Sequence, residues 1–147
     1  MNPSDLYSFI AAKPYAVIST VAANGTPQSA LIGIAVTPDL EIIFDTLTTT
    51  RKYANLLASP ACSLVIGWDD EKTVQCEGTA FLPSNVDISR YQDVYFARWP
   101  ECRAHQQWPD IAYVVIRPTW IRYSDFNQQP PSIEEFHLPA SSDTTVR

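Results

Sequence analysis

Asn24-Gly25 lies between two β-rich runs, Ala16-Val17-Ile18-Ser19-Thr20-Val21 and the segment from Gln28 to Val36. Asn-Gly is the strongest short-range hairpin signal, because both residues enter the left-handed region that tight turns demand. The chain therefore opens its β structure with an antiparallel pair, which needs no crossover helix. Every later element has to be compatible with that start.

The remaining pattern follows from turn and cap chemistry. Residues 2–13 read as a helix, with Asn2 or Ser4 as cap, Pro3 in the first turn, and Leu6, Phe9 and Ile10 at helical spacing. Pro14 ends it. Pro38-Asp39 is a turn before a third strand, Glu41 to Asp45, and a short amphipathic helix runs from Thr50 to Ser59. Cys62 to Trp68 and Thr73 to Leu82 are strands around Asp69-Asp70. Ser84-Asn85-Val86-Asp87 resembles a capping box ahead of a helix carrying Tyr91, Val94 and Tyr95. Residues 98–110 read as irregular, and Ile111 to Phe126 as a long sixth strand bent or bulged at Pro118. Antiparallel strands that must hide their edges favour a β-barrel with flanking helices, a mainly β class. The length of 147 residues predicts a single domain, 1–147, with a tail from about residue 128, past Pro130-Pro131, that is extended or frayed.

Charge narrows the function. A net charge of −6 argues against nucleic-acid and anionic-membrane partners, and no apolar run approaches the roughly 20 residues of a membrane span. Met1 to Asp5 lacks the basic start of a signal peptide, so a cytoplasmic protein is expected. Cys62, Cys76 and Cys102 form no even disulfide framework and no CxxC pair, which fits a reducing compartment.

Against the acidic background, Thr46-Leu47-Thr48-Thr49-Thr50-Arg51-Lys52 gathers hydroxyls and two cations where a strand turns into a helix. Free N–H groups and the positive end of the helix dipole favour an anion there. Thr50 is the expected N-cap, Arg51 offers a planar fork, and Lys52 adds a point charge. A solvated helix start with surface cations accounts for these residues equally well. The GxxxxGK[ST] pattern is absent, which argues against a nucleoside triphosphatase. In Ala30-Leu31-Ile32-Gly33-Ile34-Ala35, Gly33 marks either a close backbone approach that a flat ring could use or a tightly packed strand. Trp68, Trp99, Trp108 and Trp120 suit core or interface packing, or stacking on a ligand. His105 and His137 form no metal-spaced cluster in the sequence, so no metal site is expected. With no side-chain nucleophile apparent, reactive chemistry would belong to a cofactor.

From Tyr15 to about Leu82 the order of signals resembles the flavin-binding split-barrel family of pyridoxine (pyridoxamine) 5′-phosphate oxidase. The residues that carry the resemblance are Ala16 to Val21, Asn24-Gly25-Thr26-Pro27, Asp45-Thr46, Thr50-Arg51-Lys52, Asn55-Leu56, Ser59-Pro60, Trp68 and Glu77-Gly78. It implies a six-stranded antiparallel Greek-key split barrel that binds FMN as a homodimer with flavin at the interface. Arg51 and Lys52 would hold the FMN phosphate with help from Thr50, and Asp45 and Thr46 would approach the phosphate and ribityl region. Ala30, Leu31, Ile32 and Gly33, on to Ala35, would line the isoalloxazine through backbone groups, and Thr73 stands where the family has a flavin-contacting glutamine. The basic residues at the ends of the family's flavin strand are replaced by Ala30 and Ala35. Trp120 to Phe126 replaces its C-terminal Arg-Leu-His signature. The resemblance thus implies an FMN-dependent oxidoreductase for an unidentified small substrate. Its alternatives are a non-catalytic flavin-binding or stress-related dimer, a vitamin B6 phosphate oxidase, and a deazaflavin or haem binder on the same fold.

Overall fold

The computed structural model describes residues 1–139. Helix α1 (Pro3–Ala11) begins with a reciprocal capping box: Asp5 N–H donates to the Asn2 side chain at 2.8 Å, and Asn2 N–H donates to the Asp5 carboxylate at 3.0 Å. Strands β1 (Tyr15–Val21) and β2 (Pro27–Gly33) pair from Tyr15↔Gly33 to Val21↔Pro27. Their turn is closed by Gly25 N–H to Ala22 O and Ala22 N–H to Thr26 O, with Gly25 at φ 87°. Asn24 accepts from Thr26 N–H, so each residue of the Asn-Gly signal has its own task.

The expected single strand from Gln28 to Val36 is two strands. After β2 the chain passes Ile34, whose N–H donates to Pro14 O, and enters β3 (Ala35–Val36). The break arises because the two halves pair with different neighbours, β2 with β1 and β3 with β4 (Ile42–Leu47). Helix α2 (Arg51–Ala58), strands β5 (Ala61–Ile66) and β6 (Lys72–Phe81), and helix α3 (Ile88–Arg98) follow. The segment read as irregular contains a 3₁₀ helix, Pro100–Gln107, with proline in its first turn. The long strand β7 (Ile111–Asp125) pairs with β6 and is bulged where expected: Glu77 faces Trp120 and Gly78 faces Pro118, leaving Thr119 unpaired. The tail contains strand β8 (Ser132–His137), which extends the sheet beside β7 and is tied to it by Arg122 Nε to Glu135 at 2.9 Å. Residues 140–147 of the expected tail lie outside the described residues.

The strand count is therefore eight among the described residues rather than six, in the order β2-β1-β5-β6-β7-β4-β3 with β8 on β7. The two ends of that path, β2 and β3, are consecutive in the chain, so the sheet curls into a mainly β half-barrel consistent with a split barrel. Inside the curl lies one core, with Ile18, Phe44, Leu64, Val74, Ile116 and Ile121 buried. Each such side chain contributes about 1.5–3 kcal/mol of burial. A second core forms on the other face of β4 and β7, where Ile43, Tyr113 and Val115 meet Tyr91, Tyr95 and Phe96 of α3.

Candidate functional site

Helix α2 is pinned across the barrel by Asn55, whose amide donates to Thr20 Oγ1 and Gln28 Oε1, both at 2.9 Å. That bracket sets Arg51 and Lys52, in the first turn, over the ends of β1 and β2. A pocket of about 100 Å³ results, lined by Thr20, Gln28, Ser29, Ala30, Arg51 and Lys52, with Ile18 at its base. Thr50 occupies the N-cap position with extended backbone, but its hydroxyl is used elsewhere. It donates to Leu47 O at 2.9 Å and lies 3.0 Å from Thr46 Oγ1. Among the described residues no side chain caps α2, so the N–H groups of its first turn have no side-chain acceptor there and are available to a ligand. Partial burial pulls the Lys52 ammonium below its ordinary pKa. Among the described residues neither Arg51 nor Lys52 forms an ion pair. Two cations, unpaired helix donors and a concave floor together suit a phosphate-sized anion. A larger cavity of about 250 Å³ on another side of α2, lined by Tyr53, Leu57, Phe81 and Leu82 among others, has no charged lining residue.

The remaining sequence-derived candidates divide between the two faces of the sheet. Ala30 joins the Arg51–Lys52 pocket, and Ile32 is buried in the barrel core. Leu31 points outward at 62% exposure, on the same face as Val17 and Val65 beside it. Gly33 is covered by the Trp99 indole, 3.1 Å from where a Cβ would sit, and Trp99 Nε1 donates to Ile34 O. Among the described residues strand β2 pairs only with β1, so its other edge has no strand partner there. Thr73 lies on β6, three strands from β2 or about 14 Å at the usual strand spacing. Thr46 faces the pocket side, where it meets Thr50. Asp45, its neighbour in sequence, faces α3, where Tyr95 donates to its carboxylate at 3.2 Å and His105 Nδ1 lies at 2.6 Å. The structure thus brings Ala30, Thr46, Thr50, Arg51 and Lys52 together and separates Asp45, Leu31, Gly33 and Thr73 from them.

Two features escaped sequence reasoning. Thr20, Gln28 and Ser29 line the pocket and Asn55 positions its helix. Thr20 and Asn55 belong to runs that carry the family resemblance but were given no part in the site, Gln28 and Ser29 carry no motif, and the pairing of β1 with β2 aligns them. On the opposite face Asp45, Cys102 and His105 place potential ligand atoms within 4.8 Å of one another. The sequence shows no metal-spaced histidine cluster, and it is the fold that brings His105, though not His137, to this group. The missed signal was Cys102-x-x-His105, which a 3₁₀ helix stacks on one face.

Burial pushes the Cys62 and Cys76 thiols up to about 12. Near neutral pH both should therefore resist iodoacetamide in the folded protein and react only on unfolding. Peptide mass spectrometry after timed labelling would expose an error if either reacts at the rate of a free thiol.

A curled antiparallel half-barrel with flanking helices is the architecture of a split-barrel domain. The chain belongs to the pyridoxamine 5′-phosphate oxidase family, whose model matches residues 4–125. Its fold is similar to that of a haem-binding protein from Mycobacterium smegmatis (TM-score 0.79, 14% identity, 93% of this chain and 58% of that one). This chain thus spans under two-thirds of that protein's length. A conserved hypothetical protein from Mycobacterium tuberculosis superposes with TM-score 0.74 at 20% identity, covering 99% and 95% of the two chains. A pyridoxamine 5′-phosphate oxidase-related, FMN-binding protein from Nostoc punctiforme does so with TM-score 0.64 at 12% identity, covering 94% and 93%. No curated protein matches the sequence. Among the described residues no helix is long and apolar enough to cross a membrane.

Proposed function

We propose that this protein binds FMN and acts as an oxidoreductase toward a small substrate. The observation that carries this reading is the pocket at the start of α2, where Arg51, Lys52 and uncapped helix donors converge without competing ion pairs. Its volume of about 100 Å³ suits the phosphate group, and its donor set suits a dianion. Arg51 and Lys52 would hold the phosphate, Gln28 and Ser29 would add polar contacts, and the free edge of β2 from Ala30 to Gly33 would offer backbone groups to the ring. Bound flavin would supply hydride or electron transfer. The protein's part is to hold the cofactor and to limit access to it.

The same reading includes a homodimer. Leu31, Val17 and Val65 form a row across β2, β1 and β5, with Leu31 and Val65 exposed, and Ser19 and Ser29 continue it with small polar side chains 3.1 Å apart. An apolar sheet face of this kind favours cover by a second copy. The FMN-binding name of the Nostoc neighbour supports the cofactor, and the haem-binding name of the Mycobacterium smegmatis neighbour supports a competing ligand. Titrating purified protein separately with FMN and with haemin decides between them. FMN should bind at one per chain with quenched flavin fluorescence. Failure to take up FMN, or a Soret band shift at stoichiometric haemin, would overturn the flavin assignment.

A further inference from the structure

We propose that Asp45, Cys102 and His105 form a binding site for one zinc-class divalent cation on the face of the sheet opposite the anion pocket. The three residues come from two elements. Asp45 is supplied by β4, and Cys102 and His105 by the 3₁₀ helix Pro100–Gln107. In a 3₁₀ helix, side chains three apart eclipse one another, so the Cys-x-x-His spacing delivers sulfur and imidazole to the same side. All three ligand atoms lie within 4.8 Å of one another, and all three residues are at least half-buried.

The surroundings orient these ligands as metal sites require. Tyr95 donates to the second Asp45 oxygen at 3.2 Å, and Trp108 stacks on the His105 ring with centroids 4.1 Å apart and planes 21° from parallel. Such outer contacts fix ligand direction and are part of a working site. An independent sign comes from Tyr113, which stands opposite Asp45 in the β4–β7 register. Tyr113 is 5% exposed, and among the described residues its hydroxyl meets no partner at full hydrogen-bond geometry, with Gln92 the nearest side-chain influence on it. A buried oxygen with spare bonding capacity, in the same core cluster as Tyr95 and Cys102, is available to a metal-bound water.

The chemistry selects the ion. Thiolate, imidazole and carboxylate together suit zinc, cobalt or copper rather than magnesium or calcium. Three protein ligands leave the fourth tetrahedral position for water. Asp45 Oδ2 and His105 Nδ1 share a 2.6 Å hydrogen bond. Ligand atoms on one tetrahedral zinc lie about 3.3 Å apart for bonds of about 2.0–2.2 Å, so the pair opens by less than about 1 Å when the ion replaces the shared proton. The thiol proton passes to solvent, and the shared proton leaves the Nδ1–Oδ2 contact so that the ligating imidazole is neutral with its one proton on Nε2: a neutral ring shifts its proton from Nδ1 to Nε2 through solvent, and an imidazolium releases one. The site stands independently of whether flavin is bound.

Cobalt(II) and zinc(II) titrations of chelator-treated, full-length protein test it. Cobalt should bind at one per chain with a thiolate-to-metal charge-transfer absorption, and zinc should displace it and raise the melting temperature. Cys102→Ser should abolish that absorption, and Cys102→Ser and His105→Gln should each weaken zinc binding by at least about tenfold. His137→Ala, which changes the exposed histidine on β8, should leave both unchanged. Circular dichroism confirms that each variant is folded, and Cys102→Ser, nearly isosteric, keeps the test valid if His105→Gln unfolds. Absence of the charge-transfer band, or unchanged zinc affinity in folded Cys102→Ser, overturns the proposal.

Discussion

Alanine at both Arg51 and Lys52 is expected to weaken FMN binding by roughly 100-fold, with the fold intact. A hydrogen bond to a charged group contributes about 1.5–3 kcal/mol. Arg51 is exposed, so solvent screening argues for the low end. Two contacts at that end sum to about 3 kcal/mol, and each 1.4 kcal/mol is a factor of ten. Neither side chain is ion-paired with a described residue, so their loss strands no buried partner. Fluorescence titration of FMN against wild type and double variant reads the effect, and thermal unfolding without flavin checks the fold. Equal affinity in the two proteins would mean that the phosphate is held elsewhere.

Gly78→Ala is expected to destabilise the protein by about 3 kcal/mol. Gly78 lies on β6 at the bulge, facing Pro118 of β7. A Cβ there would sit 2.5 Å from the Arg117 carbonyl oxygen and 3.0 Å from both its carbon and Ile116 Cγ2. The first obstacle is backbone in the middle of the barrel, so no side-chain rotation relieves it. The strands must separate, or the bulge must move. For a chain of this size the melting temperature should fall by about 6–12 °C. Thermal and urea unfolding would measure it, and a loss below about 0.5 kcal/mol would show that the sheet accommodates a methyl group at this point.

Local chemistry was read well from the chain. Asn2, Gly25 and Pro118 each act within a few residues of themselves and perform the expected cap, turn and bulge, whereas Asn24 stays out of the left-handed region and Asp5 adds a reciprocal bond to the cap. Strand β8 was harder to see because Pro130-Pro131 reads as a stop, although β8 is the return arm of a hairpin with the end of β7, Asp125 facing Ser132. The division of residues 28–36 into β2 and β3 has another cause, since β2 pairs back to β1 and β3 pairs forward to β4. Nothing within that stretch says that its first half belongs to β1 and its second to β4.

The site shows the same boundary. Arg51 and Lys52 were legible because a cationic helix start after a strand is a short-range arrangement, and the cap position of Thr50 was legible for the same reason. The free state of the α2 donors was not, since it depends on the Thr50 hydroxyl bonding back to Leu47 and Thr46. Asp45 and Thr46 make the sharpest case. They are adjacent, and a strand turns successive side chains to opposite faces. Whether each face met the anion pocket or α3 was decided by the sheet's curl and register. The turns, caps and strand-forming runs of this protein are inscribed residue by residue. The joining of Arg51 to Gln28, and of Asp45 to Cys102 and His105, exists only once β1, β2, β4 and the 3₁₀ helix are packed, because those contacts are made across long stretches of chain.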